Sequence, residues 1–339
     1  LTYLPCKYAF NFFYSVEGSI LFMHKVVAEK TEKNRIELME ANEIDAMFLE
    51  KMIVHLKKNY DIISLDEVHK RLESLNNYKR KFIAITFDDG YKDNLTLAYP
   101  IFKKYNVPFT VYITNSFPNH TAKLWWYMLE DIILEYSEIT FLCKKKRYHF
   151  KTNSQEEKNR SFLSIRELLI NASKKELSLI LEQLENSYNK NLESYIKKEA
   201  LNWDEIETLS KDPLVTIGCH TVNHLALKTL SEEEIIEEVI KSKNELQQKI
   251  GQEINHFAYP YGTSNEIRER EINILNSLNV FKTSTTTRTG NVFSSHKDFK
   301  NSLPRIQVLG TQRDISVLNM YLWGFLPALK NRFRRVVTV

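Results

Sequence analysis

Cysteine is scarce in this sequence, and the chain has no long apolar run. The three cysteines, Cys6, Cys143 and Cys219, are far apart among 339 residues and odd in number. Their spacing argues against a disulfide framework and against a Cys-x-x-Cys site. No apolar run reaches the roughly 18 residues that a membrane-spanning helix needs. The sequence therefore predicts no transmembrane segment, and Cys219 is expected to be a small buried side chain.

The chain also lacks a strong excess of either charge. It has 47 basic and 43 acidic residues, a net charge of +4, which is only weak evidence for anionic partners. We expect no nucleic-acid partner. Residues 1–14 lack the basic segment and apolar core of a signal peptide, which predicts a cytoplasmic protein.

The C-terminal residues 321–339 form a basic tail. They mix aromatic side chains with Lys330, Arg332, Arg334 and Arg335. A helix of this composition can lie on a membrane surface, or it can pack on the protein and leave a solvated basic face. The pattern favours packing and leaves open a peripheral contact with the inner membrane surface.

Apolar, β-rich runs alternate with helical patterns along most of the chain. This alternation predicts a parallel sheet, and eight runs predict an α/β fold, an irregular (β/α) barrel of seven to eight parallel strands. The predicted strands are residues 20–24, 61–64, 82–87, 109–113, 214–219, 256–259, 281–285 and 305–308. The clearest helical patterns cover residues 46–58, 98–105, 231–250 and 267–278. Ser231 and Ser64 each precede acidic residues and are expected to cap helices.

The alternation breaks between about residues 116 and 202. We predict a barrel formed by residues 1–115 and 203–320, with a mostly helical insertion at 116–202 that includes helices at 162–171 and 174–188. Trp125 and Trp126 open this insertion; one is expected to pack in a core, and the other is left open to stack on a sugar ring. The basic residues 144–147 suit either a solvated surface or contact with an anionic glycan or a lipid phosphate.

Two adjacent carboxylates end one predicted strand, in Phe87-Asp88-Asp89-Gly90. Like charges this close resist joint ionisation unless a cation or a shared proton relieves them. Asp-Asp-Gly is also common turn chemistry, so a solvated turn is the alternative. If the pair is functional, it predicts either a metal ion or a tuned acid–base group.

Two histidines follow another predicted strand, in His220-Thr221-Val222-Asn223-His224. We expect this segment to form a helical turn, because side chains at i and i+4 then lie on one side. Imidazole with carboxylate is a usual ligand set for zinc and similar divalent ions. Two histidines and one aspartate leave coordination positions open, which marks a catalytic metal.

A third segment, Tyr259-Pro260-Tyr261-Gly262, also lies at a strand end. Proline and glycine favour a turn that leaves the backbone N–H of Tyr261 pointing outward. A fixed donor near a metal suits an oxyanion, although alone the segment would be an ordinary turn. These three segments fall at the C-terminal ends of predicted strands, where barrel enzymes place their active sites.

In this order, the three segments resemble the motifs of the polysaccharide deacetylase family, or NodB-homology domain. The match is to bacterial envelope-glycan members with a Tyr-Pro-x-Gly third motif. Residues 19–24, 59–65 and 303–306 resemble further strands of that family. The resemblance implies that Asp89, His220 and His224 bind a divalent metal, with Zn²⁺ the best candidate. It also implies that Asp88 is the general base and that the Tyr261 N–H contributes to an oxyanion hole.

The sequence departs from the family pattern in two places. Ala258 stands where an arginine usually orients the base, and no Leu-x-His motif follows residue 262. Arg305, on a late strand, is our candidate for the missing arginine, and a salt-bridged surface residue is the alternative. His24, at the end of the first strand, is our candidate for the general acid, as in members that resemble circular permutations. Its rival is His296, which lies in a polar stretch and is expected to be a surface-loop residue.

The sequence therefore favours a metal-dependent hydrolase that removes the N-acetyl group from a sugar of a polysaccharide or envelope-glycan precursor, lipid-linked or anionic among the options. One alternative is an amidase or esterase acting on another acyl substrate. The other is a catalytically decayed glycan-binding module, which the intact Asp88, Asp89, His220 and His224 disfavour.

Overall fold

The computed structural model describes residues 14, 16–29, 35–74 and 78–337. Cys6 and nearly all of the N-terminal segment discussed above lie outside these residues. The strands in chain order are β1 (Gly18–Met23), β2 (Lys25–Val27), β3 (Glu43–Asp45), β4 (Asp61–Ile62), β5 (Phe82–Phe87), β6 (Phe109–Ile113), β7 (Glu138–Cys143), β8 (Lys146–Lys151), β9 (Val215–Cys219), β10 (His256–Ala258), β11 (Thr283–Thr289) and β12 (Leu303–Gln307).

Helices surround these strands. In chain order they are α1 (Glu37–Ala41), α2 (Ala46–Asn59), α3 (Leu65–Glu73), α4 (Tyr99–Tyr105), α5 (Trp125–Glu135), α6 (Gln155–Ile170), α7 (Lys174–Tyr188), α8 (Leu192–Glu199), α9 (Trp203–Ser210), α10 (Glu232–Ile250), α11 (Glu269–Leu278), α12 (Ile315–Leu322) and α13 (Phe325–Lys330). A π-helical turn at Asn94–Ala98 precedes α4, and 3₁₀ turns occur at Leu227–Thr229 and Ser294–Ser302.

Seven parallel strands close into a barrel in the order β1, β12, β11, β10, β9, β6, β5. Closure occurs where β1 and β5 pair along their whole length, from Gly18 opposite Phe82 to Met23 opposite Phe87. The eighth strand, β4, pairs only with the first two residues of β5 and lies outside the barrel. The predicted irregular (β/α) barrel is confirmed. β1, β5 and β6 are buried throughout, which is why they appear in the sequence as apolar runs without alternation.

The bounds of several strands differ from the prediction, and for two of them the reason is physical. β4 is shorter than expected, since it pairs at only two positions. β11 begins later and is longer than predicted, because its sequence TSTTTRT is polar although most of the strand is buried. Those hydroxyls are satisfied inside the barrel: Ser284 Oγ donates to Asn301 and Thr286 Oγ1 to the Leu303 carbonyl.

The predicted helix starts are confirmed at two serines. Ser231 caps α10 by accepting from the N–H of Glu234, whose carboxylate accepts from the Ser231 N–H in return. Ser64 accepts from the N–H of Glu67 and caps α3. These caps fix where the helices begin, because the first-turn N–H groups have no partner within the helix.

Between β6 and β9 the chain adds α5 to α8 and the antiparallel hairpin of β7 and β8. The sequence predicted helices at 162–171 and 174–188, which correspond to α6 and α7, but it did not predict the hairpin. We call residues 116–202 the 116–202 segment. It has its own apolar cluster, which includes Leu129, Phe162 and Leu181.

The 116–202 segment rejoins the barrel at the turn after β5. Tyr91 forms an antiparallel bridge with Ala200, and the N–H of Leu201 donates to the Gly90 carbonyl. The N–H of Lys92 donates to the Glu199 carbonyl. The end of this segment is therefore hydrogen-bonded to the turn that follows Asp89.

The C-terminal residues form two short helices on the barrel. Leu318 and Leu322 of α12 are buried, whereas Phe325, Leu329 and Phe333 expose 40%, 51% and 61% of their surface. Among the residues that the structure describes, no helix is both long enough and apolar enough to cross a membrane. Cys219 is buried in β9, as the sequence predicted. Burial raises the pKa of its thiol to about 11.

Candidate active site

Asp88 and Asp89 follow β5 in a turn that separates their side chains. The N–H of Asp88 donates to the Met23 carbonyl, which continues the pairing with β1. Asp89 has a φ of 79° and Gly90 a φ of 94°, a region that glycine tolerates and aspartate adopts rarely. Asp88 and Asp89 are only 2% and 4% exposed. The alternative of a solvated turn is therefore wrong, and both carboxylates need partners inside the protein.

The segment His220–His224 follows β9 as a loop, so the predicted helical turn is wrong. Thr221 and His224 have φ values of 66° and 53°, which interrupt any helix. A buried carboxylate holds this loop instead: Glu238 of α10 accepts from the N–H groups of Val222 and Asn223, at 3.0 and 2.9 Å. The two imidazole rings nevertheless lie close together, with their centroids 5.0 Å apart.

Asp89, His220 and His224 meet in one place. Asp89 Oδ1 lies 3.4 Å from Nε2 of His220 and 3.2 Å from Nε2 of His224, and the candidate ligand atoms all lie within 4.8 Å of one another. Oδ1 is buried and has no hydrogen-bond partner. A buried, unpartnered carboxylate oxygen between two imidazole nitrogens fits a divalent cation.

A backbone carbonyl sets the tautomer of one imidazole. His220 Nδ1 lies 2.7 Å from the Ala258 carbonyl. A carbonyl only accepts, so Nδ1 carries the proton and donates it, which leaves the lone pair of Nε2 facing Asp89. Ala258, which stands where the family usually has an arginine, thus supports the metal site through its backbone carbonyl.

Asp88 is paired with Arg305. Two guanidinium nitrogens donate to its two carboxylate oxygens, each at 2.7 Å. Arg305 is fully buried, and it also donates to the Thr286 carbonyl and to Thr86 Oγ1. Burial alone would raise the pKa of Asp88, but the charge and hydrogen bonds of Arg305 outweigh it, so the pKa lies below its ordinary value. The alternative of a surface ion pair for Arg305 is wrong.

His24 lines the same cavity as these groups. It lies just after β1, next to Phe22, whose ring centroid is 5.9 Å away. Burial lowers the pKa of His24, against the raising effect of the Asp89 and Asp88 carboxylates. Its Nδ1 is buried without a hydrogen-bond partner. The structure therefore brings His24 to the site, as expected for its predicted role.

His296 lies elsewhere, and the expected surface-loop position is wrong. It is fully buried, and its Nδ1 lies 3.0 Å from the N–H of Phe293. The neighbouring Val292 bridges Gly18, the first residue of β1, whereas His24 follows the last. A strand of six residues spans about 20 Å, so His296 occupies the opposite end of the barrel from His24. Burial lowers its pKa to about 4.

Tyr261 also lies at the site, with a φ of 60°. Its ring contacts the His224 ring at a centroid distance of 4.8 Å, and its carbonyl accepts from Thr287 Oγ1 at 2.6 Å. The turn is tight, because a Cβ on Gly262 would lie 2.7 Å from the Thr287 nitrogen. This fixes the backbone of Tyr261 beside the predicted metal ligand.

A cavity of about 210 Å³ joins the side chains of His24, Asp88, Asp89, His220, His224 and Tyr261. Trp125 is 4% exposed and packs in the core, Trp126 is half-buried, and both line the cavity. Trp126 Nε1 donates to the Tyr91 hydroxyl at 3.1 Å. The sequence did not predict two features of this wall: Lys25, paired with Glu199, and Glu238, which holds the histidine loop behind it.

One signal could have revealed Glu238. It lies on the buried stripe of α10 with Ile235, Val239 and Ser242, the spacing of a core-facing helix surface. A charged residue at such a position is rarely fully buried unless it is paired. The sequence therefore contained the evidence that Glu238 has a buried partner, but not which partner.

Comparisons with known proteins identify a matching family model and several solved structures with the same fold. The family model for polysaccharide deacetylases matches residues 75–280. Similar solved structures include the deacetylase PplD from Streptococcus pyogenes in complex with acetate, with 18% identity, a TM-score of 0.58, and coverage of 90% of this chain and 97% of that chain. A de-N-acetylase from Aggregatibacter actinomycetemcomitans has 15% identity, a TM-score of 0.56, and coverage of 90% and 99%.

A third solved structure, IcaB from Ammonifex degensii, has 14% identity, a TM-score of 0.55, and coverage of 90% and 97%. No curated protein matches the chain. The solved structures show the shared fold, and the family model covers more than half of the chain with Asp88, Asp89, His220, His224 and Tyr261 inside the match. The chain belongs to the polysaccharide deacetylase family.

Proposed function

We propose that this chain is a metal-dependent hydrolase that removes the N-acetyl group from a sugar of a polysaccharide or envelope-glycan precursor. One observation carries the proposal: the unpartnered Asp89 Oδ1 faces the Nε2 atoms of His220 and His224 beside the Asp88–Arg305 pair. Three nitrogen and oxygen ligands leave open positions, as in catalytic zinc sites. Zn²⁺ is the proposed ion, although other divalent ions suit the same ligands.

The residues of this chain have distinct proposed roles. When bound, the metal would supply Lewis acidity and lower the pKa of a water molecule towards about 7. Asp88 accepts the proton of the attacking water, since Arg305 keeps its carboxylate ionised and fixes its direction. The backbone N–H of Tyr261 donates to the developing oxyanion. His24 donates a proton to the leaving amine, which is a poor leaving group without one.

Acetate release from N-acetylglucosamine oligomers tests the reaction. We expect release that is lost after chelation and regained when Zn²⁺ is added, with one metal ion per chain by elemental analysis. Release from an aryl acetate but not from any N-acetylated sugar would favour the esterase alternative. Glycan binding without release in a metal-loaded protein would favour the decayed module.

The C-terminal residues support a peripheral membrane contact. Phe325, Leu329 and Phe333 are exposed, and Lys330 and Arg332 lie between them. Apolar side chains beside basic ones suit the surface of an anionic bilayer, which would bring the chain close to a lipid-linked glycan. The proposal predicts co-sedimentation with vesicles containing phosphatidylglycerol, reduced in Leu329→Ser and Phe333→Ser. Equal binding of the two variants and the wild type would contradict it.

A further inference from the structure

Arg166 is a cation on the wall of the active-site cavity. It lies on α6 of the 116–202 segment, four residues after Phe162, and both side chains line the cavity. Residues four apart share a helix face, and the other members of this face, Ile165 and Leu169, are buried in the apolar cluster. The helix therefore presents a guanidinium from a surface that is otherwise apolar.

The guanidinium of Arg166 lies close to the catalytic groups. Its Cζ is 5.7 Å from the centroid of the Tyr261 ring, and that ring contacts His224. One aromatic ring thus separates Arg166 from a candidate metal ligand. A pyranose ring is about as wide as a phenol ring, so a group on the reacting sugar, or on its neighbour, could reach Arg166.

Arg166 differs from the other cations around this cavity in having no acidic partner among the described residues. Lys25 pairs with Glu199, and Arg35 pairs with Glu43 and Glu130 at 3.0 and 2.7 Å. The carboxylate of Glu266, whose charge also acts on Tyr261, pairs with Lys228 at 3.7 Å.

A half-buried guanidinium is stabilised most by a carboxylate or a phosphate group, because its planar, forked N–H donors match the oxygen atoms of these groups. Among the described residues, no carboxylate pairs with Arg166. We propose that Arg166 binds an anionic substituent of the substrate, a carboxylate or a phosphate ester, and makes the enzyme selective for acidic N-acetylated sugars. This inference rests on the proposed function, because it assigns a substrate class to the same cavity.

Three soluble sugars test the inference. N-acetylmuramic acid carries a carboxylate, N-acetylglucosamine 6-phosphate carries a phosphate, and N-acetylglucosamine carries neither. Calorimetric titration of the Zn²⁺-loaded protein should show at least one anionic sugar bound about 10- to 100-fold more tightly than the neutral one, the range for a charged hydrogen bond. The sugar that binds more tightly shows whether Arg166 recognises a carboxylate or a phosphate ester. Equal affinity for all three sugars would overturn the proposal.

Matched variants of α6 assign the effect to one side chain. Arg166→Gln should remove the preference, and Arg166→Lys should keep only part of it, because a lysine offers charge without the fork. Arg160→Gln is the control, since Arg160 is exposed on the same helix and pairs with Glu156. A preference that survives in Arg166→Gln would reject the assignment.

Acetate release from the same sugars separates this inference from the proposed function. The ratio of kcat/KM for the anionic sugar over the neutral sugar should fall about 10-fold or more in Arg166→Gln. Release from all three sugars with a ratio that Arg166→Gln does not change would reject the role of Arg166 alone. No release from any sugar, with a binding preference that needs Arg166, would reject the hydrolysis and retain the anion site.

Discussion

Asp88 and Asp89 are neighbours in the chain, yet each has partners that suit a different task. Arg305 donates two hydrogen bonds to Asp88 and leaves it ionised. Asp89 faces two imidazoles through an oxygen with no hydrogen bond of its own. The left-handed backbone at Asp89 directs the two carboxylates differently. Adjacent acids can therefore serve as base and ligand without competing for one proton.

Substitution of each acid should separate these two tasks. Asp88→Asn should keep the metal and abolish turnover, because the proton acceptor is lost while the ligands remain. Asp89→Asn should lose both, as should His220→Ala. Elemental analysis with acetate-release assays measures the two properties. Near-normal kcat in Asp88→Asn would show that another group accepts the proton, and undiminished metal in His220→Ala would disprove the site.

His24 should be needed for poor leaving groups only. His24→Ala is expected to lower kcat on N-acetylated sugars by about 10²–10⁴-fold, the span for loss of acid catalysis. An activated aryl ester, whose leaving group needs no proton, should be hydrolysed almost as fast as before. Assays of both substrates on the same preparation give this ratio. Equal losses on the two would indicate that His24 has a packing role instead.

The residues of the site could be predicted from the sequence wherever a strand ends in a polar motif. Each predicted site residue follows a strand in this way or lies on a predicted strand; they are His24, Asp88, Asp89, His220, His224, Tyr261 and Arg305. Arg305 was proposed as the partner of Asp88 only through the family resemblance, because nothing in the sequence itself joins two residues more than two hundred positions apart. Only the closed barrel brings β12 beside β1 and so places the guanidinium against the carboxylate.

At the scale of elements, the histidine loop depends on a helix that carries no ligand. Glu238 of α10 accepts two backbone N–H groups of the loop and a hydrogen bond from the Asn223 amide. The sequence predicted a helical turn here because an i, i+4 pair of histidines fits one. Two residues in the left-handed region of φ break that turn, and no glycine or asparagine stands at either position to signal it.

Glu238→Gln should weaken the metal site without unfolding α10. A neutral amide accepts less strongly than a carboxylate, so the loop would hold His224 less firmly. We expect metal affinity to fall about 10- to 100-fold, as for other groups that orient ligands. Glu237→Gln is the matched control, because Glu237 is the exposed neighbour on the same helix. Competition with a fluorescent zinc chelator measures both, and equal affinities would contradict the role of Glu238.

The hairpin of β7 and β8 was missed for a related reason. Its turn places Lys144 and Lys145 at φ values of 50° and 64°, a geometry that usually selects Asn-Gly. Two lysines give no such signal, so the sequence did not predict a turn within the basic residues 144–147. Local turn chemistry thus limited the prediction of elements more than hydrophobic pattern did.

At the scale of the whole molecule, His296 should make stability depend on pH. Burial lowers its pKa to about 4 in the folded protein, whereas an unfolded chain has about 6.5. The unfolded state therefore binds a proton first as the pH falls. The contribution of His296 is fully present above pH 6.5 and decreases towards pH 4, by about 2 kcal/mol between pH 7 and pH 5.

Urea unfolding at these two pH values tests this expectation. His296→Gln should lose less stability than the wild type on acidification, whatever its stability at neutral pH. His149→Gln is the control, because His149 is exposed on the hairpin. The same pH dependence in His296→Gln and in the wild type would show that other groups account for it.

The bridge between Tyr91 and Ala200 has a consequence for protein engineering. Residues 199–201 are hydrogen-bonded to the turn that orients Asp89. The 116–202 segment, which carries Arg166, is therefore directly connected to the turn that carries a candidate metal ligand. A chimera that exchanges the 116–202 segment with a relative's to change specificity would also disturb that turn. Crossover points placed before residue 199 would exchange the substrate-facing wall and leave the bridge with its own barrel.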